Sequence, residues 1–438
     1  MGEIVNIILN ADALHIPLAD ETVQCVVTSP PYWGLRDYGT AKWEGGDMNC
    51  THNPQRPDGG QRADRSLPLG RGGMYRDICT KCGATRIDAQ LGLEPTPEEY
   101  VANMVAVFRE VWRVLRKDGV VWLNLGDSYA GDGKGSNNGR DKSTLSGGFD
   151  TQESVPLRRD KRGNNLKPKD LVGIPWRVAF ALQADGWWLR SEIIWHKPNP
   201  MPESVTDRPT KAHEQVFLLA KAQKYFYDAE AVREANTEGS RERFENGAPR
   251  KRTDNRNGTP YDWQRDDAVT SMNGRNRRTV WTIATAPYSG AHFATFPPDL
   301  VRPCILAGTS PRACEVCGAP WERVVERTPG ISKECPKTDN AHIARGGTGK
   351  PIGTVGKSGS GRIDGYSTTT GFRPTCACAN EGTGRSIVLD PFAGTFTVGM
   401  VAAEYGRAAV GIELSREYIN LALERTAQAR MQGVFLLL

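Results

Sequence analysis

The sequence predicts an α/β fold, a mainly parallel central sheet with helices on both faces. Three observations carry that reading. Short runs of β-branched and apolar residues alternate with longer stretches of helical spacing. Two of the runs, Val23 to Val27 and Ile387 to Leu389, stop abruptly in turns rich in Pro or Gly. The polar residues gather in four long stretches, which leaves the remainder apolar enough for one large core.

Taken in order, Val5 to Leu9 and Val23 to Val27 read as the first two strands. Glu98 to Leu115 has helical spacing, with Tyr100, Met104, Phe108, Val111 and Leu115 near one face. Lys117-Asp118-Gly119 is expected to stop that helix, and Val120 to Leu125 to return as a strand. A helix over Leu171 to Ala184 precedes strands over Trp188 to Trp195 and Glu214 to Ala220. Near the end, Ile387 to Leu389 is a strand, Val398 to Tyr405 a helix, and Ala408 to Ile412 a strand. The stretches that break this pattern are 47–93, 131–170, 233–278 and 313–384.

Composition bounds the function classes. The 438 residues carry a formal charge of +5, so bulk charge alone argues only weakly for a nucleic-acid partner, and local clusters must carry that argument. No apolar run approaches membrane-spanning length, which argues against a membrane role. The N-terminus lacks a basic segment followed by an apolar core, so a cytoplasmic location is expected.

The first strand exit is Thr28-Ser29-Pro30-Pro31-Tyr32-Trp33. Ligands of open α/β sheets bind beyond the carboxyl ends of the strands. Ser29 and Pro30 each precede a proline, which holds both extended. A stiff backbone can thus aim a hydroxyl, carbonyl oxygens and a ring at one point. An exocyclic base amine is a poor nucleophile because its lone pair is delocalised into the ring. Ser29 and the carbonyl of Pro30 or Pro31 can accept its protons and free that pair. Tyr32 can stack on a base turned out of the duplex. By itself a proline-rich turn after a strand would explain these residues equally well.

The second exit is Asp390-Pro391-Phe392-Ala393-Gly394-Thr395, followed by a helix and a strand ending at Glu413. The glycine turn lets a ligand approach the backbone, and the terminal carboxylate can accept ribose hydroxyls.

Together these residues resemble the amino-methyltransferases that modify DNA at cytosine N4 or adenine N6 with S-adenosylmethionine. Their order is similar to the permuted β class, with the catalytic motif early, target recognition in the middle and the cofactor motif last. The resemblance implies a Rossmann-like methyltransferase fold and duplex DNA as substrate, with base flipping. It implies a cofactor site of Asp12, Phe296, Asp390, Pro391, Phe392, Ala393, Gly394, Thr395 and Glu413, and a catalytic site of Ser29, Pro30, Pro31 and Tyr32. Residues 192–204 resemble the strand and loop flanking the target base, and 292–305 the helix beside the methionine end of the cofactor. Val27 to Tyr32 looks more like the N4-cytosine branch, although the same grip suits adenine N6. Phe396 departs from the pattern, standing where the family has a second glycine. It is the feature that favours a rival reading, a catalytically decayed scaffold that only binds DNA.

The expected organisation follows. Residues 1–46 form the catalytic half and 47–94 a zinc-binding insertion. Residues 95–232 hold the methyltransferase core with a mobile polar loop over 131–170. Residues 233–279 recognise the target and 280–312 hold a cofactor-side helix. Residues 313–384 form a second zinc-binding and basic insertion, and 385–438 the cofactor half. A homodimer and a cognate restriction endonuclease stay open as partners.

Cys79-Thr80-Lys81-Cys82-Gly83 and Cys314-Glu315-Val316-Cys317-Gly318 are paired-cysteine knuckles whose two thiolates can reach one tetrahedral ion. Cys50 and His52 can complete the first set, Cys376 and Cys378 the second. Neither insertion has the apolar residues for its own core, so two structural zinc ions are expected. Free thiols, disulfides or a redox pair are the alternatives. Cys25 and Cys304 read as core residues. Arg250, Lys251, Arg252, Arg275, Arg277 and Arg278 are the DNA-contact candidates, since Arg reads guanine edges and both cations bind phosphate. A solvated loop explains any one of them equally well.

Overall fold

The apolar runs meet in an eight-stranded sheet in the computed structural model, which describes residues 6–34, 42–50, 78–79, 81–87, 90–130, 166–167, 169–236, 274–286, 297–327 and 367–430. The strands, in chain order, are β1 (Asn6–Asn10), β2 (Val23–Thr28), β3 (Lys42–Glu44), β4 (Thr85–Ile87), β5 (Leu115–Leu125), β6 (Trp188–His196), β7 (His213–Ala220), β8 (Val280–Thr282), β9 (Trp321–Arg327), β10 (Ser367–Pro374), β11 (Ile387–Asp390) and β12 (Ala408–Glu413). The helices are α1 (Pro97–Val114), α2 (Ile174–Ala184), α3 (Pro298–Gly308), α4 (Thr397–Glu404) and α5 (Arg416–Arg430).

The main sheet runs β1-β12-β11-β2-β5-β7-β6-β8. Its pairings among the described residues are parallel except those of β7, which is antiparallel to both β5 and β6. Strands from the two ends of the chain interleave, with β11 and β12 lying between β1 and β2. The two motif-bearing segments are therefore neighbours in the sheet. From β11 the chain winds outward through α4 to β12, and from β2 it winds the other way through α1 to β5. The β11–β2 seam is the point where the winding reverses, the preferred ligand position in such sheets.

Local chemistry explains the helix ends. Thr96 caps α1 by accepting the Glu99 amide at 3.1 Å, Pro97 opens it, and Glu98 and Glu99 sit in its first turn. Its buried face is Tyr100, Met104, Val107, Phe108, Val111 and Val114. The helix stops earlier than the sequence suggests. Leu115 turns extended and pairs with Val23, while Cys25 pairs with Val120, so Arg116 to Gly119 bulge out at the start of β5. The Lys117-Asp118-Gly119 segment is thus an irregularity in a strand and not a helix stop. Within the 292–305 segment that the resemblance marked, α3 begins at Pro298; 287–296 lie outside the described residues.

Cys25 and Cys304 are buried, as expected of core residues. No helix among the described residues is long and apolar enough to cross a membrane.

Two units partition the contacts. The first comprises Met1–Asp228, Arg278–Trp321 and Pro374–Leu438 and holds the sheet. The second comprises Ala229–Arg277 and Glu322–Arg373. Within the second, Glu234 and Arg275 bridge through their backbones and pair through their side chains at 2.9 Å.

Candidate active site

Parallel strands deliver their ends to one edge, and that edge collects the polar residues. β2 ends at Thr28, and Ser29 to Tyr32 leave from it. Asn124 lies near the end of β5. Because β7 runs antiparallel, its first residues, His213 and Glu214, arrive at the same edge, and Lys197 follows the last residue of β6.

These groups form one network. The Tyr32 hydroxyl donates to Glu214 Oε2 at 2.7 Å and accepts from Asn124 Nδ2 at 2.7 Å. Ser29 Oγ is 3.3 Å from both the Tyr32 hydroxyl and Asn124 Nδ2. Glu214 Oε1 receives the Lys197 ammonium, which also lies 4.4 Å from the centre of the Trp195 ring. Burial works to raise the Glu214 carboxyl, but Lys197, Tyr32 and Asn124 outweigh it and hold the group below the ordinary range. Glu214 is thus a fixed anion. Burial, then the Glu214 charge, holds the Tyr32 hydroxyl well above its ordinary value. Tyr32 therefore stays a donor to Glu214.

The ring of Tyr32 rests against the backbone at Gly126, where an added Cβ would fall 2.4 Å from the Tyr32 Cε2. Any side chain there would evict the ring. The Tyr100 hydroxyl donates to the Pro31 carbonyl at 2.9 Å. Of the two proline oxygens considered as amine acceptors, the structure engages Pro31 with Tyr100.

Across the seam, the Thr28 hydroxyl donates to Asp390 Oδ1 at 2.7 Å, and the Phe392 amide donates to the same oxygen at 3.1 Å. Asp390 Oδ2 is buried with no hydrogen-bond partner. Burial raises the Asp390 carboxyl to about 7. Glu413 Oε2 accepts the Gly394 amide and Oε1 the Ser415 amide, each at 2.8 Å, and burial raises this carboxyl too. Each oxygen retains a lone pair for a ligand hydroxyl. Asn10 pairs with Glu413 across β1–β12, and Asp12 Oδ1 accepts the Leu14 amide at 2.9 Å just beyond. Arg425 holds Thr395 and Thr397 at 2.6 and 2.9 Å, which fixes the far side of the glycine turn.

Phe396 takes the left-handed conformation at φ 59°, ψ 42°, and is 1% exposed. Its ring points into the core between α4 and β12. A Cβ at Gly399 would lie 2.3 Å from it and one at Gly411 2.8 Å. Two glycines make room for the ring, and the turn from Pro391 to Thr395 keeps its own space. The residue that suggested a decayed scaffold is a packing residue.

Lys211 Nζ, Asn124 Oδ1 and Ser128 Oγ are also buried without partners. With Asp390 Oδ2 they place unmet donors and acceptors on segments that meet at the strand-end edge. Buried polar atoms without partners are rare, and these four fall on the segments that carry the Tyr32 network and the Asp390 turn. Burial lowers the Lys211 ammonium, opposed by the Asp127 and Glu214 charges.

The Sγ atoms of Cys314, Cys317, Cys376 and Cys378 all lie within 4.8 Å of one another, as do those of Cys50, Cys79 and Cys82. The Cys50–Cys79 separation is 3.8 Å, and a tetrahedral ion with 2.3 Å bonds requires an edge of about 3.8 Å. Both knuckles share one backbone pattern. Cys79 and Cys314 donate to the carbonyls of Ala84 and Ala319, and Gly83 and Gly318 donate back to Cys79 and Cys314. His52, Phe296, Arg250, Lys251 and Arg252 lie outside the described residues. Arg275 is committed to Glu234, and the Arg278 carbonyl accepts the Trp281 indole.

Asn124, Glu214 and Lys211 are not singled out from sequence, and Lys197 is placed only within the 192–204 segment. The available signal was a polar residue inside an apolar strand, Asn124 in Val120 to Leu125, and a charge at the head of another, Glu214.

The chain matches the family model described as DNA methylase over residues 23–314 and 377–424. It is 33% identical over 420 residues to the type II methyltransferase M.Cfr9I of Citrobacter freundii, covering 95% of this chain and 86% of that one. Against the type II methyltransferase M.SmaI of Serratia marcescens it is 33% identical over 413 residues, covering 94% and 87%. A putative DNA modification methylase of Thermus thermophilus, solved with S-adenosyl-L-methionine, aligns over 99% of this chain and 98% of its own. That alignment has 16% identity and a TM-score of 0.42.

Proposed function

The chain belongs to the N6/N4 DNA methylase family, and on that premise we propose that it methylates the N4 amine of cytosine in duplex DNA with S-adenosylmethionine. The observation that carries the reading is the network of Ser29, Tyr32, Asn124 and Glu214 beside the β11–β2 seam.

The residues fit the cofactor. Asp390 Oδ2 offers a buried unmet acceptor, Glu413 offers lone pairs for ribose hydroxyls, and the turn from Pro391 to Thr395 lies between them. Asp12 and Phe296 are assigned to the same site by family resemblance. When bound, the cofactor supplies a sulfonium methyl group for in-line transfer to nitrogen.

The chain's own residues prepare the nucleophile. Ser29 Oγ and the Pro30 carbonyl accept hydrogen bonds from the amine N–H groups and draw its lone pair out of the ring; the proton that the methylated nitrogen sheds passes to solvent. The rigid Pro-Pro segment keeps these acceptors in place, and Tyr100 braces it through the Pro31 carbonyl. Glu214, held anionic by Lys197, orients Tyr32 and Asn124 and takes no proton itself. Tyr32 presents its ring to the flipped base. Catalysis rests on positioning and electrostatics, with no covalent enzyme intermediate.

Serine before Pro-Pro-Tyr favours cytosine over adenine, since Asp or Asn more often stands there in the adenine branch. Both cysteine clusters are read as structural zinc sites, closed four-ligand shells with His52 completing the first. Target recognition is assigned to residues 233–279, including Arg250, Lys251, Arg252, Arg275, Arg277 and Arg278. The test is digestion of methylated DNA to nucleosides and identification by mass. N4-methylcytosine is expected; N6-methyladenine would move the reading to the other branch.

A further inference from the structure

We propose that the zinc site of Cys314, Cys317, Cys376 and Cys378 is a clamp that holds β11 against β2 from the edge opposite the active site. The proposal rests on the metal reading of these thiols and adds what the metal does.

The seam is thinly held by its own ladder. β11 has four residues, and its register with β2 comprises Val388 with Cys25 and Leu389 with Val26. Its carboxyl end is tied by Thr28 to Asp390. At its amino end Gln24 of β2 ties it across the seam, its Oε1 accepting the Ile387 amide at 2.6 Å.

The other end of that glutamine reaches the cysteine knuckle. Gln24 Nε2 donates to the Gly318 carbonyl at 2.5 Å. Arg116, in the bulge that opens β5, donates to the Cys317 carbonyl at 2.6 Å. The knuckle thus bears on both β2 and β5. A Cβ at Gly318 would lie 3.3 Å from Gln24 Nε2, so the knuckle approaches closely.

The second pair of cysteines leads into β11. Glu315, inside the Cys314–Cys317 knuckle, accepts the amides of Glu381 and Thr383 at 2.8 and 3.2 Å. Ala313 donates to Gly384 at 3.0 Å, and the Ser386 hydroxyl to the Ser310 carbonyl at 2.9 Å. An ion shared by the two pairs therefore latches the approach to β11 onto the segment that docks on Gln24 and Arg116. Metal–thiolate binding free energy becomes folding free energy of whatever it joins. A four-residue strand spans about 13 Å, so the ion acts on Asp390 only through the position of β11.

The test measures metal content by mass spectrometry and hydrogen exchange of the full chain, with α1 as internal control. Wild type is compared with Cys376→Ser/Cys378→Ser, Cys378→His and Gln24→Ala. The double serine variant is expected to lose about one equivalent of zinc per chain. Amides of Ile387 to Leu389 should then exchange at least about tenfold faster, with α1 unchanged. Cys378→His should keep both metal and protection, because histidine is a zinc ligand. Gln24→Ala should keep the metal and lose the protection. Unchanged metal in the double variant overturns the metal reading. Lost metal with β11 still protected, or Gln24→Ala with β11 still protected, overturns the clamp and leaves the metal reading standing.

Discussion

Substitution at Phe396 and Gly399 tests where the aromatic ring lies, and with it whether the turn proposed to hold the cofactor is intact. The ring is 1% exposed, and the three atoms nearest a Cβ on Gly399 would be carbons of that ring, at 2.3, 2.5 and 2.6 Å. Gly399→Ala in the wild type should therefore overpack the space under α4 and destabilise the chain by about 1–3 kcal/mol. Phe396→Ala should cost about 3–5 kcal/mol through the emptied volume. In that background the ring contacts are gone, and Gly399→Ala should stabilise α4 by up to about 1 kcal/mol through helix propensity alone. The same substitution thus reverses sign, a coupling that urea denaturation of the four proteins reads directly. Phe396→Gly should be about 1 kcal/mol more stable than Phe396→Ala, because the left-handed backbone at φ 59° suits glycine. Neither variant should tighten S-adenosylmethionine binding by calorimetry. A neutral Gly399→Ala in the wild type, or tighter cofactor binding by Phe396→Gly, would place the ring in the turn and refute the packing account.

Other predictions follow from the same edge. The folded Asp390 carboxyl titrates near 7 and an unfolded one near 3.9, so the folded chain holds an extra proton between those values. That stability is full below about pH 4 and is lost as pH rises through about 7. Asp390→Asn should flatten this slope in denaturation measured across pH 4–8, and an unchanged slope would show that the carboxyl ionises normally. Glu214→Gln removes the anion facing Lys197 and should cost about 3 kcal/mol, with a fall in methylation rate. A variant as stable and active as wild type would show the pair to be incidental. Tyr100→Phe removes the donor on the Pro31 carbonyl and should cost about 1 kcal/mol and slow transfer by less than about tenfold. An unchanged rate would mean the Pro-Pro segment needs no brace.

The legible parts of this chain are those written locally. The strand before Ser29 and the Asp390-to-Glu413 unit announce themselves by an apolar run cut off at a turn, and both lie where expected. The cysteine knuckles are legible for the same reason, because two residues of spacing fix what a pair of thiols can reach. What the sequence hides is set by topology. Glu214 reaches Tyr32 because β7 runs backwards between two strands of the other sense, and nothing in His213 to Ala220 signals direction. The end of α1 is hidden because Leu115 satisfies a helix pattern and a strand pairing equally well, and pairing with Val23 decides it. The outcome for Phe396 depends on Gly399 and Gly411, two residues whose lack of side chains is unremarkable until the ring is seen between them.

Single-turnover transfer of labelled methyl from S-adenosylmethionine to duplex DNA, with enzyme in excess, isolates the step assigned to Ser29. Ser29→Ala should bind cofactor and DNA as wild type does and transfer methyl about a hundredfold more slowly, as loss of one preorganised hydrogen-bonding partner at a reacting centre does. A Ser29→Ala enzyme transferring at the wild-type rate would contradict the claim that this strand exit grips the amine.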